Sequence, residues 1–456
     1  MTSSRSESPE SCYNDISEYP TSNSPLIQRG GPDRNPPNHF KTALLCLISL
    51  TLGLVQTIPL AILIPESLNL GLSTAQASLI LAAWPASSIL VLLIQPLMNR
   101  LKTPLYLILT ALINSAGFCS FYYSVTVPQY YLYLAVLARF TCGTTLFLIN
   151  NKTAVGITEH LRGNVSKSST LWEVFNSAGQ ACGAYIGSLL DSRIGFPLSM
   201  AVSGGTILVT VVILSCFYPP DYGRFDESTD TSTRDTYRLY VSRDMLIYCW
   251  CPMVCIGGCM VYVEGIITLF YLKEFLKSLQ FGGVLIGLSG IVYCISATVI
   301  GLLRERWPSL TMIGLVLGLF GSGVVLPFIG PIVSLPGEFK LYLSVATFNL
   351  LLVCSCAIQL NSLTVSAAAL TKILDSQTAM SVSLNAVNVA YNLGAFVGPI
   401  IGGNLLTWFS FSEVFAIGAP FFILAAVIVG VSHVSQNRSS NHSFFSIRSR
   451  TPSPCS

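Results

Sequence analysis

Apolar residues along this chain arrive in blocks of about twenty, separated by short polar breaks. A helix rises 1.5 Å per residue, so roughly twenty residues cross a hydrocarbon core of about 30 Å. The blocks run at 42–64, 76–98, 104–124, 129–150, 171–190 and 196–217, and then a polar stretch, 218–243, interrupts. Six more follow at 245–272, 281–303, 309–331, 341–366, 380–406 and 411–432. The pattern predicts an all-α polytopic membrane protein of about twelve transmembrane helices in two six-helix halves. It divides the chain into a polar tail (1–40), an N-terminal bundle (41–217), a central loop (218–243), a C-terminal bundle (244–432) and a second polar tail (433–456). Both tails are expected to be disordered. The first, rich in Ser, Pro and Asn, has no apolar core of a cleavable signal peptide.

Composition narrows the class. Of 456 residues, 52% are hydrophobic and 10% charged, against roughly 25% charged in an average soluble domain. A water-exposed surface cannot be built from that, so lipid is the solvent. The net charge of +3 is too small to point to nucleic acid, but its distribution orients the chain. Nineteen of the 24 Lys and Arg fall in the two tails and the segments on their side, four fall opposite (Arg193, Lys273, Lys277 and Lys340), and Arg139 sits inside the fourth block. Both termini and the central loop are expected to be cytoplasmic. Most of the fourteen cysteines lie within apolar runs, where Cys behaves as a small buried hydrophobe. The row Cys251, Cys255, Cys259 has no His near it, and Glu264 lies about 140° round the helix from Cys259. No metal and no cofactor are expected. No HExxH, GxSxG or P-loop pattern occurs, which argues against an enzyme.

The halves echo each other. Gly179, Gly183 and Gly187 in the fifth block recur 215 positions later as Gly394, Gly398 and Gly402, with Pro399 and Gly403 beside them. Glycines four apart on a helix let a second backbone approach closely, and recurrence in two halves is the sequence trace of a repeat-built transporter. The second run, GAFVGPIIGG, resembles the eleventh-helix GxxxGPxxGG pattern of major facilitator drug and amine antiporters. VEGIITLFYLKEF (263–275), GLLRER (301–306) and LWEVFNSAG (171–179) make the chain most similar to the vesicular amine transporter family, particularly its polyamine branch. Ala184 and Ser188 depart from the first-half glycine pattern, and QPLMNRLK (95–102) is a degraded form of the loop signature. The first helix offers Gln56 and Thr57 where monoamine and acetylcholine members carry an aspartate. The resemblance implies the major facilitator fold, a small organic cation and protons as ligands, no cofactor, a monomer in the bilayer, and a vesicle or organelle membrane, with the plasma membrane as the alternative.

An ionisable side chain at membrane depth costs at least ~2.5–3.5 kcal/mol, so each one is a functional candidate. Glu264 in the seventh helix shares a face with Met260, Thr268 and Tyr271 and is the leading cation or proton site, a structural buried acid being the alternative. Glu173, Asn176 and Gln180 form a polar stripe on the fifth helix. Arg139, with Gly143 four residues on, resembles the superfamily's fourth-helix arginine signature and is expected either to pair with Glu173 in coupling or to lock the half together. Ser381, Asn385, Asn388 and Asn392 make a polar stripe on the eleventh helix, which either lines a cavity or joins helices. The expected activity is proton-coupled antiport of an organic cation by alternating access. A neutral solute, an anion held by Arg139, or a transport-dead scaffold or sensor are the alternatives.

Overall fold

The computed structural model describes residues 39–448 apart from 88–89, 92–93, 95–97, 99–100, 102, 162–164, 218–238, 332–335, 372 and 375. The first 38 residues, most of the central loop, most of the QPLMNRLK segment and the last eight residues lie outside the described residues. Among the described residues twelve helices carry the fold. The N-terminal half comprises α1 (His39–Asn69), α2 (Thr74–Ala86), α3 (Thr103–Thr126), α4 (Tyr131–His160), α5 (Val165–Ile194) and α6 (Phe196–Cys216). The C-terminal half comprises α7 (Cys251–Phe275), α8 (Leu279–Arg306), α9 (Leu310–Val325), α10 (Gly337–Leu370), α11 (Ser376–Leu405) and α12 (Phe411–Arg448). In lipid each backbone N–H and C=O must be satisfied inside its own segment, which is why apolar blocks of this length become helices.

Several helices outrun their apolar blocks, because polar residues continue the backbone ladder beyond the hydrocarbon. α4 runs to His160, α8 to Arg306 and α12 to Arg448. α12 therefore carries helix well past position 432, where the apolar run ends and a disordered tail was expected. Among the described residues ten helices are long and apolar enough to cross a membrane by themselves. α5 is not among them because it carries Glu173, Asn176, Gln180 and Asp191, and only thirteen residues of α2 are described in its helix. α2 opens on a capping box in which Ser73 Oγ accepts from Gln76 N–H and Gln76 Oε1 accepts from Ser73 N–H.

The tightest packed pairs reveal the repeat. α1 lies on α5 as α7 lies on α11, and α3 lies on α6 as α9 lies on α12. Across the halves α5 meets α8, and α11 meets α2. Every pair maps onto its counterpart when six is added to a helix number, the mark of two repeats related by an axis along the membrane normal.

The glycine rows build the seams within each half. A Cβ on Gly179, Gly183 or Gly187 would run into the backbone of Leu50, Leu54 or Ile58 on α1. On α11, Gly394 faces Val254 O, Gly398 faces Gly258 O, and Gly402 faces the Tyr262 ring, all on α7. These rows therefore do not form the sliding surface between halves. That contact uses other small residues: Gly283, Gly287 and Gly290 on α8 meet Ser188 and Ala181 on α5, and Gly403 meets Ser78 on α2. Ser188, one of the departures from the family glycine pattern, thus sits at the boundary between the halves.

Candidate functional site

A cavity of about 130 Å³ lies between the halves. Its walls come from α1, α2, α4 and α5 on one side and α7, α8, α10 and α11 on the other, again matched by adding six. The void is smaller than the ~300 Å³ at which pockets for drug-sized ligands begin, so a larger solute needs the halves to move apart.

Each half contributes one carboxylate. Glu173 of α5 and Glu264 of α7 both line the cavity. Glu173 is buried, and Glu264 is half-buried with its free surface on the void. Asn176 and Gln180 continue the α5 wall, and Asn388 and Asn392 stand on α11 with Tyr391 between them. Among the described residues lining the cavity none is Lys, Arg or His. Three polar atoms on lining residues make no hydrogen bond within the protein: the acceptors Asn176 Oδ1 and Asn392 Oδ1, and the donor Trp84 Nε1. Desolvated groups of this kind are costly unless something satisfies them. The lining therefore offers two carboxylates and mostly acceptors to whatever enters, with aromatic faces from Trp84 and Phe147, which stack at 5.2 Å.

The α11 stripe divides its work. Asn388 Nδ2 donates to Asn151 Oδ1 at 2.8 Å, and Asn151 Nδ2 donates to Asn385 Oδ1 at 3.4 Å. Asn151 belongs to α4, so this amide group ties the halves together beside the cavity. Asn385 stays outside the lining. The side chain of Ser381 lies outside the described residues.

Besides Asn385, three expected site residues lie outside the lining. Tyr271 is fully buried in an aromatic cluster, with Phe270 at 5.4 Å, Phe275 at 5.6 Å and Phe281 at 5.6 Å, and its hydroxyl meets Ser344 Oγ at 2.8 Å. Thr268 is buried against Gly282 at the start of α8. Both share the helical phase of Glu264 but lie one and two turns further along, beyond the end of the cavity. Arg139 is fully buried with its guanidinium 5.5 Å from the Trp84 ring centre, behind the cavity wall, and no ion pair joins it to Glu173 among the described residues. Tyr293 and Arg304, both from α8, lie near the Glu173 carboxylate, and among the described residues no ion pair within 4.0 Å joins it to Arg304 either.

Arg304 is the residue that sequence reasoning misplaced. Counted with Arg306 as a loop cation, it is only 4% exposed, because α8 continues through it. Tyr293 was missed altogether, although the spacing Ser289, Tyr293 at i, i+4 on α8 was there to mark a polar face.

The sequence profile of the Major Facilitator Superfamily matches residues 45–382. Two similar curated proteins are the MFS-type transporter SLC18B1 of Rattus norvegicus, 23% identical over 287 residues, and that of Mus musculus, 24% identical over 274 residues. Each match covers 59% of this chain and 58% of the relative's length. Among solved structures, the nucleoside transporter NupG in a mutant form superposes with a TM-score of 0.64 over 86% of this chain and 99% of that one, at 14% identity, a likeness of fold alone.

Proposed function

Since the chain belongs to the major facilitator superfamily, we propose that it is a secondary active transporter that exchanges an organic cation, of polyamine-like chemistry, for protons. The observation that carries this reading is the meeting of Glu173 and Glu264, one from each half, in a cavity whose described lining holds no basic side chain. A cation entering the cavity sheds water, and a carboxylate offsets that loss. A proton and an amine compete for the same oxygens, so each weakens the other's hold, and such competition is what exchange requires. Because the two acids stand on different halves, occupancy of the cavity acts on both bodies that rock in alternating access. The resemblance to the vesicular polyamine branch supports the same class of substrate and an organelle membrane, and the SLC18B1 similarity supports a transporter.

Purified full-length protein in liposomes tests this. Labelled spermidine should accumulate when the lumen is acid, and an ionophore that collapses the proton gradient should abolish the accumulation. Absence of uptake of any amine under either direction of gradient would sink the reading.

The positive-charge asymmetry further supports cytoplasmic termini. On that topology the sequons at Asn437 and Asn441, and at Asn164 outside the described residues, stay bare. The expected result is no change in gel mobility on endoglycosidase treatment, and a shift traced to any of the three would reverse the orientation.

A further inference from the structure

The two carboxylates of the cavity stand at different depths. On α8, Gly282 packs against Thr268 of α7 and its neighbour Gly283 packs against Ser188 of α5, so Thr268 and Ser188 share a level. α5 and α7 run in the same direction, both being odd-numbered crossings. Glu264 lies four residues before Thr268, about 6 Å of helix, and Glu173 lies fifteen before Ser188, about 22 Å. The acids are therefore about 16 Å apart along the bundle. The cavity is long enough to hold both, because α10 alone lines it from Phe348 to Leu363, again about 22 Å. A void of about 130 Å³ drawn out over that depth is a narrow slot, the shape of an unbranched chain.

Between the acids lie two acceptors with no donor. Asn176 O faces Gly53 of α1 as Tyr391 O faces Gly257 of α7, so Asn176 and Tyr391 are counterparts in the repeat and Asn392 is one residue further on. An axis along the membrane normal keeps counterparts at one depth. Asn176 is three residues past Glu173, about 5 Å towards Glu264. Asn176 and Asn392 both line the slot, are only 6% and 2% exposed, and leave Oδ1 without a partner. The other end of the Asn392 amide is committed, since its Nδ2 donates to Asn388 O at 2.6 Å on its own helix. Asn388 in turn donates to Asn151. Tyr391 interacts electrostatically with both carboxylates, in keeping with a place between them. The unpaired donor Trp84 Nε1 is on the ring edge whose Cδ1 packs against Gly143 of α4.

From this order of acid, amide pair and acid we infer that the slot reads a linear triamine. One terminal ammonium meets Glu173, the other meets Glu264, and an inner secondary ammonium donates to Asn176 Oδ1 and Asn392 Oδ1. A secondary ammonium carries two N–H donors, and the site presents two unpaired acceptors, one from each half. Spermidine has nine bonds between its terminal nitrogens, about 11 Å when extended, and a charged hydrogen bond of about 2.8 Å at each end brings its span to about 17 Å. Asn176 and Asn392 are thus specificity-determining residues. The inference rests on the exchanger reading for its meaning in transport, but the preference itself is measurable as binding.

The test compares spermidine with 1,8-diaminooctane, which has the same length and the same terminal groups but a CH2 in place of the inner nitrogen. Kd is measured by calorimetry on the purified full-length chain, and uptake is then measured in liposomes. Buried acceptors reject a ligand that leaves them unpaired, so spermidine should bind at least about tenfold more tightly. Asn176→Leu and Asn392→Leu should each bring the two Kd values within about threefold of one another. Comparing two ligands on one preparation cancels any loss of folded protein. 1,4-Diaminobutane, too short to reach both acids, should bind at least about tenfold more weakly than spermidine, and parity between those two would overturn the span. Equal Kd values for spermidine and 1,8-diaminooctane on the parent would overturn the reading of the inner nitrogen, whatever the variants do. A preference that survives in both variants would take that role from the amides. Preferential binding of spermidine with no uptake under any gradient would uphold the slot and instead bring down the exchanger reading.

Discussion

Glu264→Gln is expected to reduce proton-driven cation uptake by about two orders of magnitude while leaving protein abundance and melting temperature close to those of the parent. The substitution is nearly isosteric, so the α7 wall and its neighbours Met260 and Val261 keep their shape. What disappears is the charge. Hydrogen bonds to charged groups contribute roughly 1.5–3 kcal/mol, and about 1.4 kcal/mol is a tenfold change. The exchange of proton for amine at this carboxylate disappears with it, so residual uptake should no longer respond to the pH gradient. Glu173→Gln should do less, raising the KM several-fold, because that acid already has Arg304 nearby. The measurement is initial rate of labelled spermidine uptake against internal pH in liposomes. Uptake by Glu264→Gln at the parental rate and with the parental pH dependence would make this acid structural and remove the proposed mechanism.

Gly398→Leu should also abolish uptake, but by a different route that a second readout separates. A Cβ at this position would overlap Gly258 O on α7, and Gly258 is itself close enough to α11 that its own Cβ would stand 3.1 Å from Gly394 O. Two backbones in contact leave no cleft for a side chain to turn into. The helices must part, and overpacking of this kind costs at least ~1–3 kcal/mol. Because α7 carries Glu264 and α11 carries Asn388, Tyr391 and Asn392, parting them also reshapes the cavity. A fall of more than tenfold in uptake is expected, together with a lower melting temperature, in protein that still inserts. Gly205→Ala is the matched control: nothing lies within 4 Å of a Cβ there, so uptake should be unaffected and the helix slightly favoured. Parental uptake by Gly398→Leu would show that α7 and α11 do not need this close approach.

Membrane residence, the count of helices and the division into two halves were legible in the sequence because each depends on properties local to a segment. Twenty apolar residues partition into lipid whatever their neighbours do, and glycine spaced four apart marks a close approach before the partner is known. The same local logic singled out Glu173 and Glu264 as acids within apolar blocks, and the structure brings both to one cavity. Depth along the axis was harder to read. Thr268 and Tyr271 have the phase of Glu264, but seven residues are ~10 Å of helix, enough to carry Tyr271 out of the cavity and into an aromatic core.

Partnership between helices is the part that only the tertiary structure decided. Arg139 and Glu173 lie on consecutive helices, which made them natural partners in sequence. In the fold α4 turns Arg139 toward Trp84 on α2, while α5 turns Glu173 toward α8. The glycine rows announced tight seams but not whether those seams lie within a half or between halves, since glycine records only that something is close. Arg304 read as a loop cation because arginines flanked the end of an apolar block. Its burial follows from α8 continuing to Arg306 and from α5 and α10 supplying Thr170, Leu360 and Thr364 as acceptors. A charge can be kept in such a place only when residues more than fifty positions away satisfy it, and no local pattern carries that information.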